Sequence, residues 1–248
     1  MSRWISPKNI SSAPIRLFCF PYAGGGASVF RAWSKDPRGG IFAIQPPGRE
    51  NRLAEPLLYA LNDIVAGVVD AVMPYTMQPY ALFGHSLGAR VAFETVRAIR
   101  NRKGRMPVRL FVSGSPAPER REPRPLHQLD DEAFVAELQR FSGTPVEVLN
   151  NKEIMAFFLP ILRADFTVDE TYEYQPGQPL SVPITAFCGT EDPETTPDEM
   201  EGWKRHTDAA FDLQLMRGGH FFLNNPENRL LDRIYAILAS DCACGVPV

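Results

Sequence analysis

The stretch Tyr80-Ala81-Leu82-Phe83-Gly84-His85-Ser86-Leu87-Gly88-Ala89-Arg90-Val91-Ala92-Phe93 decides how the rest of the chain is read. Its first four residues form an apolar run of strand length, and the residues from Val91 to Val96 continue as a helix after Ser86. Between the two, Gly84-His85-Ser86-Leu87-Gly88 matches G-x-S-x-G in the strand-turn-helix context that gives this otherwise common pentapeptide its meaning. Such a turn is so sharp that side chains at positions 84 and 88 would strike neighbouring backbone. The serine is expected in a strained conformation, with its hydroxyl above the sheet.

Outward from this turn, apolar runs at 15–20, 41–44, 108–112, 182–187 and 211–216 read as further strands. Leu61, Ile64, Val65, Val68, Val69 and Val72 recur at the spacing of an amphipathic helix that ends before Pro74. A short helix is expected near 199–205 and a closing one over 230–238, preceded by Asn228. Strands alternating with helices predict an α/β fold, a mostly parallel central sheet with helices on both faces. The alternation breaks at 116–178, which opens rich in proline and charge and continues in a helical pattern with Phe134, Leu138 and Phe141 on one face. Residues 1–115 and 179–240 are therefore read as the core, 116–178 as a helical lid inserted in it, and 241–248 as a flexible tail.

Composition narrows the function. With 248 residues, 44% hydrophobic and 22% charged, the chain can bury a sizeable core, which excludes disorder as its main state. Its 26 basic and 29 acidic residues give a net charge of −3, so no global positive field exists to hold nucleic acid or an anionic membrane. No run approaches the ~18 apolar residues of a membrane helix, and residues 1–9 lack the order of a secretory signal. A cytoplasmic protein, monomeric by default, is expected. Cys19 and Cys188 fall in strand-like runs as buried thiols, and Cys242 and Cys244 have no second pair at a zinc-ligand spacing, so no metal is expected.

A serine hydroxyl attacks only when a base takes its proton, and that base needs an acid to hold its tautomer. Of four histidines, His85 lies inside the elbow, His127 in the insertion and His206 on a helix expected at the surface. His220, in Arg217-Gly218-Gly219-His220-Phe221 after a strand, is the candidate base. Asp192 in Cys188-Gly189-Thr190-Glu191-Asp192-Pro193 is the candidate acid, at the carboxyl edge of the sheet where catalytic groups gather. Glu191 is its competitor, while Asp165 in the insertion reads as a structural ion-pair partner. An oxyanion needs two donors. The N–H of Leu87 is one, and the loop Pro21-Tyr22-Ala23-Gly24-Gly25-Gly26 supplies the other from Ala23, with Gly24 as second choice. That loop lacks the signatures of a P-loop or a dinucleotide site.

These residues resemble the type II thioesterases, stand-alone α/β-hydrolases that accompany nonribosomal peptide and polyketide synthases. The resemblance runs from Phe20 to Gly25 through Pro47-Gly48-Arg49-Glu50-Asn51-Arg52 and Gly84 to Ala89. It continues in Gly143-Thr144-Pro145, Leu159-Pro160-Ile161-Leu162-Arg163-Ala164-Asp165, Gly189 to Asp192 and Gly219-His220-Phe221. It implies an α/β-hydrolase fold with a helical lid, and a serine thioesterase acting through an acyl-enzyme with Ser86, Asp192 and His220 as triad and Leu87 and Ala23 as oxyanion hole. It also implies acyl or peptidyl carrier domains of a synthase as partners, with the substrate on their phosphopantetheine arm and no cofactor of the enzyme's own. The proline-rich Ser115-Pro116-Ala117-Pro118 and the Cys242-Ala243-Cys244 tail depart from the family pattern.

Two other readings share these residues. A general carboxylesterase or acyltransferase would use the same triad on free acyl esters, and a non-catalytic binding module would be expected to carry a damaged one. Glu119-Arg120-Arg121-Glu122 and Asp130-Asp131-Glu132 charge the insertion, as a docking face or a solvated one. Met155-Ala156-Phe157-Phe158-Leu159 reads either as lid packing or as the lining of an acyl channel.

Overall fold

Seven strands form one sheet in the computed structural model, which describes residues 2–6, 13–138 and 151–243. They are β1 (Ile5–Ser6), β2 (Arg16–Phe20), β3 (Ile41–Ile44), β4 (Tyr80–His85), β5 (Arg109–Ser113), β6 (Ile184–Gly189) and β7 (Phe211–Met216). The spatial order is β1-β3-β2-β4-β5-β6-β7, parallel throughout except for β1 against β3. Every residue of β2 to β6 is buried, as a parallel sheet covered on both faces requires. Alternation along the strands sends Phe18, Phe20, Leu82, Leu110 and Val112 to one face, where α1 (Leu61–Val72) and α2 (Leu87–Asn101) pack. Leu17, Cys19, Phe83, Phe111 and Phe187 go to the other, against Ile234 and Leu238 of α6 (Leu230–Ala243). The two-residue β1 was not anticipated, since so short a run carries no period.

Between β5 and β6 the chain leaves the sheet. The segment read as a lid carries α3 (Asp131–Leu138) and α4 (Lys152–Glu170), with Leu126, Phe134, Leu138 and Met155 forming a core of their own. Asn151 starts α4 by accepting the N–H groups of Glu153 and Ile154, both at 3.1 Å. Phe141 and Gly143-Thr144-Pro145 lie outside the described residues, as do residues 244–248. After β6, Thr196 opens the short α5 (Pro197–Glu201) with a reciprocal cap to Glu199, and the turn Gly202–His206 extends it.

Two expectations are corrected. His206 is buried: its ring lies among Phe93, Tyr174 and Trp203, and its Nε2 is 2.6 Å from Glu119 Oε2. The last helix does not stop near 238 but runs to Ala243, so the tail cannot begin at 241. The cause is a buried ion pair. Arg109 on β5 donates Nε and Nη2 to Asp241 at 2.7 and 2.6 Å, and its Nη1 to Thr185 Oγ1 at 2.9 Å. Among the described residues no helix is long and apolar enough to cross a membrane.

Removing one partner of a buried pair leaves the other charge uncompensated. Asp241→Asn should therefore destabilise the protein by about 3–5 kcal/mol in denaturant unfolding, whereas a frayed tail would leave the midpoint where it is.

Candidate active site

Ser86 stands between β4 and α2 with φ 55° and ψ −126°, a conformation that a non-glycine residue adopts only under constraint. Steric contact supplies the constraint. A Cβ at position 84 would lie 2.1 Å from the carbonyl oxygen of Gly88, and one at position 88 would lie 2.3 Å from that of Phe20 and 2.6 Å from that of Pro21. Gly84 is therefore required by the fold of α2's first turn back over the end of β4, and Gly88 by the close approach of that turn to the end of β2. The Ser86 N–H donates to the Ser113 carbonyl at 2.8 Å, tying the elbow to β5. Leu87 opens α2, so its N–H has no acceptor within the helix and forms part of the positive end of the helix dipole.

His220 follows β7, and its Nδ1 lies 3.0 and 3.2 Å from the two carboxylate oxygens of Asp192, with both side chains buried. Asp192 comes three residues after β6 ends, and its Oδ1 also accepts the Glu194 N–H at 2.9 Å. Glu191 is exposed, so of the two carboxylates left open by the sequence it is Asp192 that meets the histidine. His127 instead pairs through Nδ1 with Glu170 at 2.7 Å inside the lid. His85 is buried beside the site, with Nδ1 2.9 Å from Ser113 Oγ and its ring centroid 5.1 Å from that of His220. Burial holds its pKa well below the usual imidazole value, and the adjacent His220 pushes it the same way.

Ser86 and His220 both line two cavities. One, of about 610 Å³, has a polar wall that includes Arg90, Glu119, Arg120, Glu122, Arg124 and Asp169. The other, about 80 Å³, lies under the lid, where Tyr22, Leu162, Phe166 and Phe221 share its wall with Glu122, Asp169 and Glu170. Arg90, one helical turn beyond Ser86, donates to the carbonyls of Asp169 at 2.7 Å and Arg120 at 3.1 Å, joining both ends of the lid to α2. Of the stretch 155–159, Met155 packs in the lid core, while Phe157 and Phe158 face outward over a groove beside Leu53. The apolar residues that α4 brings to the small cavity beside Ser86 are Leu162 and Phe166, which sequence reading did not single out as lining.

The two loop residues named as candidate donors have different surroundings. The Gly24 N–H donates to Asp165 Oδ2 at 2.6 Å and is thereby engaged, whereas Ala23 lines the cavity with Ser86. Asp165 is an ion-pair partner as expected, bound in two-pronged fashion to Arg49, with Nη2 to Oδ1 at 2.9 Å and Nη1 to Oδ2. Its contact with the glycine loop was not legible, because 141 residues separate it from Gly24.

A mostly parallel sheet, a serine on a strand-to-helix elbow and a histidine-carboxylate pair at the strands' carboxyl ends place this chain in the α/β-hydrolase class. A family model described as a thioesterase domain matches residues 15–238, and the chain belongs to that family. It is 41% identical to thioesterase PikA5 of Streptomyces venezuelae over 90% of this chain and 80% of that one. Among solved structures, the type II thioesterase BorB from the borrelidin biosynthetic cluster is 35% identical with a TM-score of 0.80, over 96% of this chain and 95% of that one. The chain is a thioester hydrolase of the type II thioesterase kind. It is also 41% identical to a protein of Brevibacillus parabrevis named linear gramicidin dehydrogenase LgrE, over 96% of this chain and 94% of that one. No sequence feature here matches that name, since Gly24-Gly25-Gly26-Ala27-Ser28-Val29 does not have the G-x-G-x-x-G spacing of a dinucleotide loop.

A histidine whose folded pKa is depressed stays neutral in the native state while the unfolded chain takes up its proton below about pH 6.5. Unfolding free energy should thus fall as pH drops through that value. The ring C–H resonance of His85 should not move between pH 8 and 6, and a normal titration there would contradict its burial as the cause.

Proposed function

We propose that this enzyme clears acyl groups from the phosphopantetheine arm of carrier proteins in nonribosomal peptide or polyketide synthesis, restoring the free thiol of stalled or wrongly loaded carriers. One observation carries the chemical part: Ser86, on its strained elbow, borders the same cavities as His220, whose Nδ1 meets the buried carboxylate of Asp192. The pathway part rests on thioesterase relatives such as BorB from a biosynthetic cluster.

In this reading Ser86 Oγ attacks the thioester carbonyl carbon while His220 Nε2 takes the hydroxyl proton. Asp192 holds Nδ1–H toward itself and stabilises the imidazolium. The carbonyl oxygen becomes an oxyanion facing the N–H groups of Leu87 and Ala23. The carbon–sulfur bond then breaks, His220 returns the proton to sulfur, and the free thiol leaves an acyl ester on Ser86. Water attacks that ester with His220 again as base, and the proton returns to Ser86 Oγ as the acid departs. Water is the only co-reactant, and no cofactor enters. The larger cavity, walled by polar and charged side chains, suits the amide-rich arm, and Leu162 and Phe166 in the smaller one offer an apolar surface to the near end of the acyl group.

The test is acyl release from an acyl-phosphopantetheinyl carrier, set against the matching p-nitrophenyl ester. Faster turnover on the carrier, abolished in Ser86→Ala, is the expected result. Ester hydrolysis with the carrier ignored would leave a general esterase, and no labelling of Ser86 by a fluorophosphonate would leave a binding module. Asp192→Asn should lower kcat by about 10⁴ with little change in KM, since it presents the wrong tautomer of His220.

A further inference from the structure

We infer that Asp165 and Arg49 are positioning residues that set the direction of the Ala23 N–H, making the seat of the lid helix part of the oxyanion hole. This inference rests on the reading of Ser86 as nucleophile and Ala23 as donor.

The loop from Tyr22 to Gly25 is too short to have a core, so its shape depends on where its backbone groups are bound. Ala23 N–H and the Tyr22 carbonyl belong to one planar peptide unit and point in opposite directions. That carbonyl accepts the Gly25 N–H at 2.9 Å, so whatever fixes Gly25 also orients the Ala23 N–H. The next peptide unit is fixed by the Gly24 N–H on Asp165 Oδ2 at 2.6 Å, and the Gly25 carbonyl accepts from Arg49 Nη1 at 3.3 Å. Arg49 and Asp165 are themselves buried and locked together by the two-pronged ion pair.

The loop and its two anchors come from separate parts of the fold: the loop from the end of β2, Arg49 from the turn after β3, and Asp165 from α4. A Cβ at Gly24 would lie 2.6 Å from Leu162 Cδ2, so the loop is also pressed directly under α4. Leu162 and Phe166, on either side of Asp165 in the helix, border the cavity at Ser86. If α4 moved off this seat, the Gly24 N–H would lose its acceptor and the peptide carrying the Ala23 N–H would be free to turn. Arg49 has a second effect: it neutralises a buried carboxylate that would otherwise oppose negative charge developing on the substrate oxygen.

The experiment compares Asp165→Ala, Asp165→Asn and Arg49→Lys with the wild type in steady-state thioester hydrolysis. Thermal unfolding is followed alongside. Asp165→Ala should lose about 10²-fold in kcat, the scale of one misplaced oxyanion donor, with KM changed by less than about threefold. Asp165→Asn keeps an oxygen that can accept the Gly24 N–H and should recover about tenfold of that loss. Affinity for a trifluoromethyl ketone, which forms a tetrahedral adduct, should weaken in parallel with kcat. Should Asp165→Ala fail to fold, the asparagine and Arg49→Lys variants carry the comparison, each expected about tenfold below wild type in kcat and in ketone affinity. The inference is overturned if kcat stays within about threefold of wild type in the folded variants, if the loss appears in KM, or if Asn is no better than Ala. Wild-type turnover that is insensitive to Ser86→Ala would instead overturn the function reading beneath it.

Discussion

The approach of the first turn of α2 to the carbonyls of Phe20 and Pro21 is the contact on which the site depends. Only glycine at position 88 permits it, because a Cβ there would be 2.3 Å from one oxygen and 2.6 Å from the other. Bringing the helix that close puts its free N-terminal N–H groups next to the loop that leaves β2. The same approach forces the serine between strand and helix into positive φ, since the chain has one residue in which to turn. Position and strain are thus consequences of a single packing distance.

Two buried arginine–carboxylate pairs fix segments that the sheet does not reach. Arg109 with Asp241 pins the end of α6 to β5, and Arg49 with Asp165 pins α4 to the loops after β2 and β3. Burying such charges costs desolvation energy that their attraction only roughly offsets, so neither pair is a strong source of net stability. What each contributes is location. A hydrophobic contact can slide by an ångström at little cost, whereas a two-pronged pair with further backbone partners cannot.

Much of this architecture was legible because its signals are local. Residues 80–96 carry strand, turn and helix in one uninterrupted run, and β3 and β7 fall where their apolar runs begin and end. Ser86, His220 and Asp192 could each be singled out from their own few neighbours. What escaped is non-local. A two-residue edge strand has no period, and the burial of His206 depends on Phe93 and Trp203, one of them far away in sequence. The different surroundings of Ala23 and Gly24 come from a carboxylate of the insertion, whose own neighbours, Ala164 and Phe166, say nothing about where it reaches. Asp165 was readable as paired, but not as the acceptor of a particular loop N–H.

Several of the charges around Ser86 are compensated, and that bears on how an oxyanion could be stabilised there. Arg49 is neutralised by Asp165, Arg90 stands 3.2 Å from Asp169, and His85 is kept uncharged by burial. His220 faces a carboxylate in Asp192 and no second cationic histidine. With Arg49 and Arg90 paired and His85 neutral, the groups directed at the carbonyl in the proposed mechanism are the fixed backbone dipoles at Leu87 and in the Tyr22–Gly25 loop. Dipoles held by the fold need no reorganisation as charge develops, but they act only if their directions are correct beforehand. In the proposed mechanism the strained elbow and the Arg49–Asp165 anchor serve that same requirement, one for each donor.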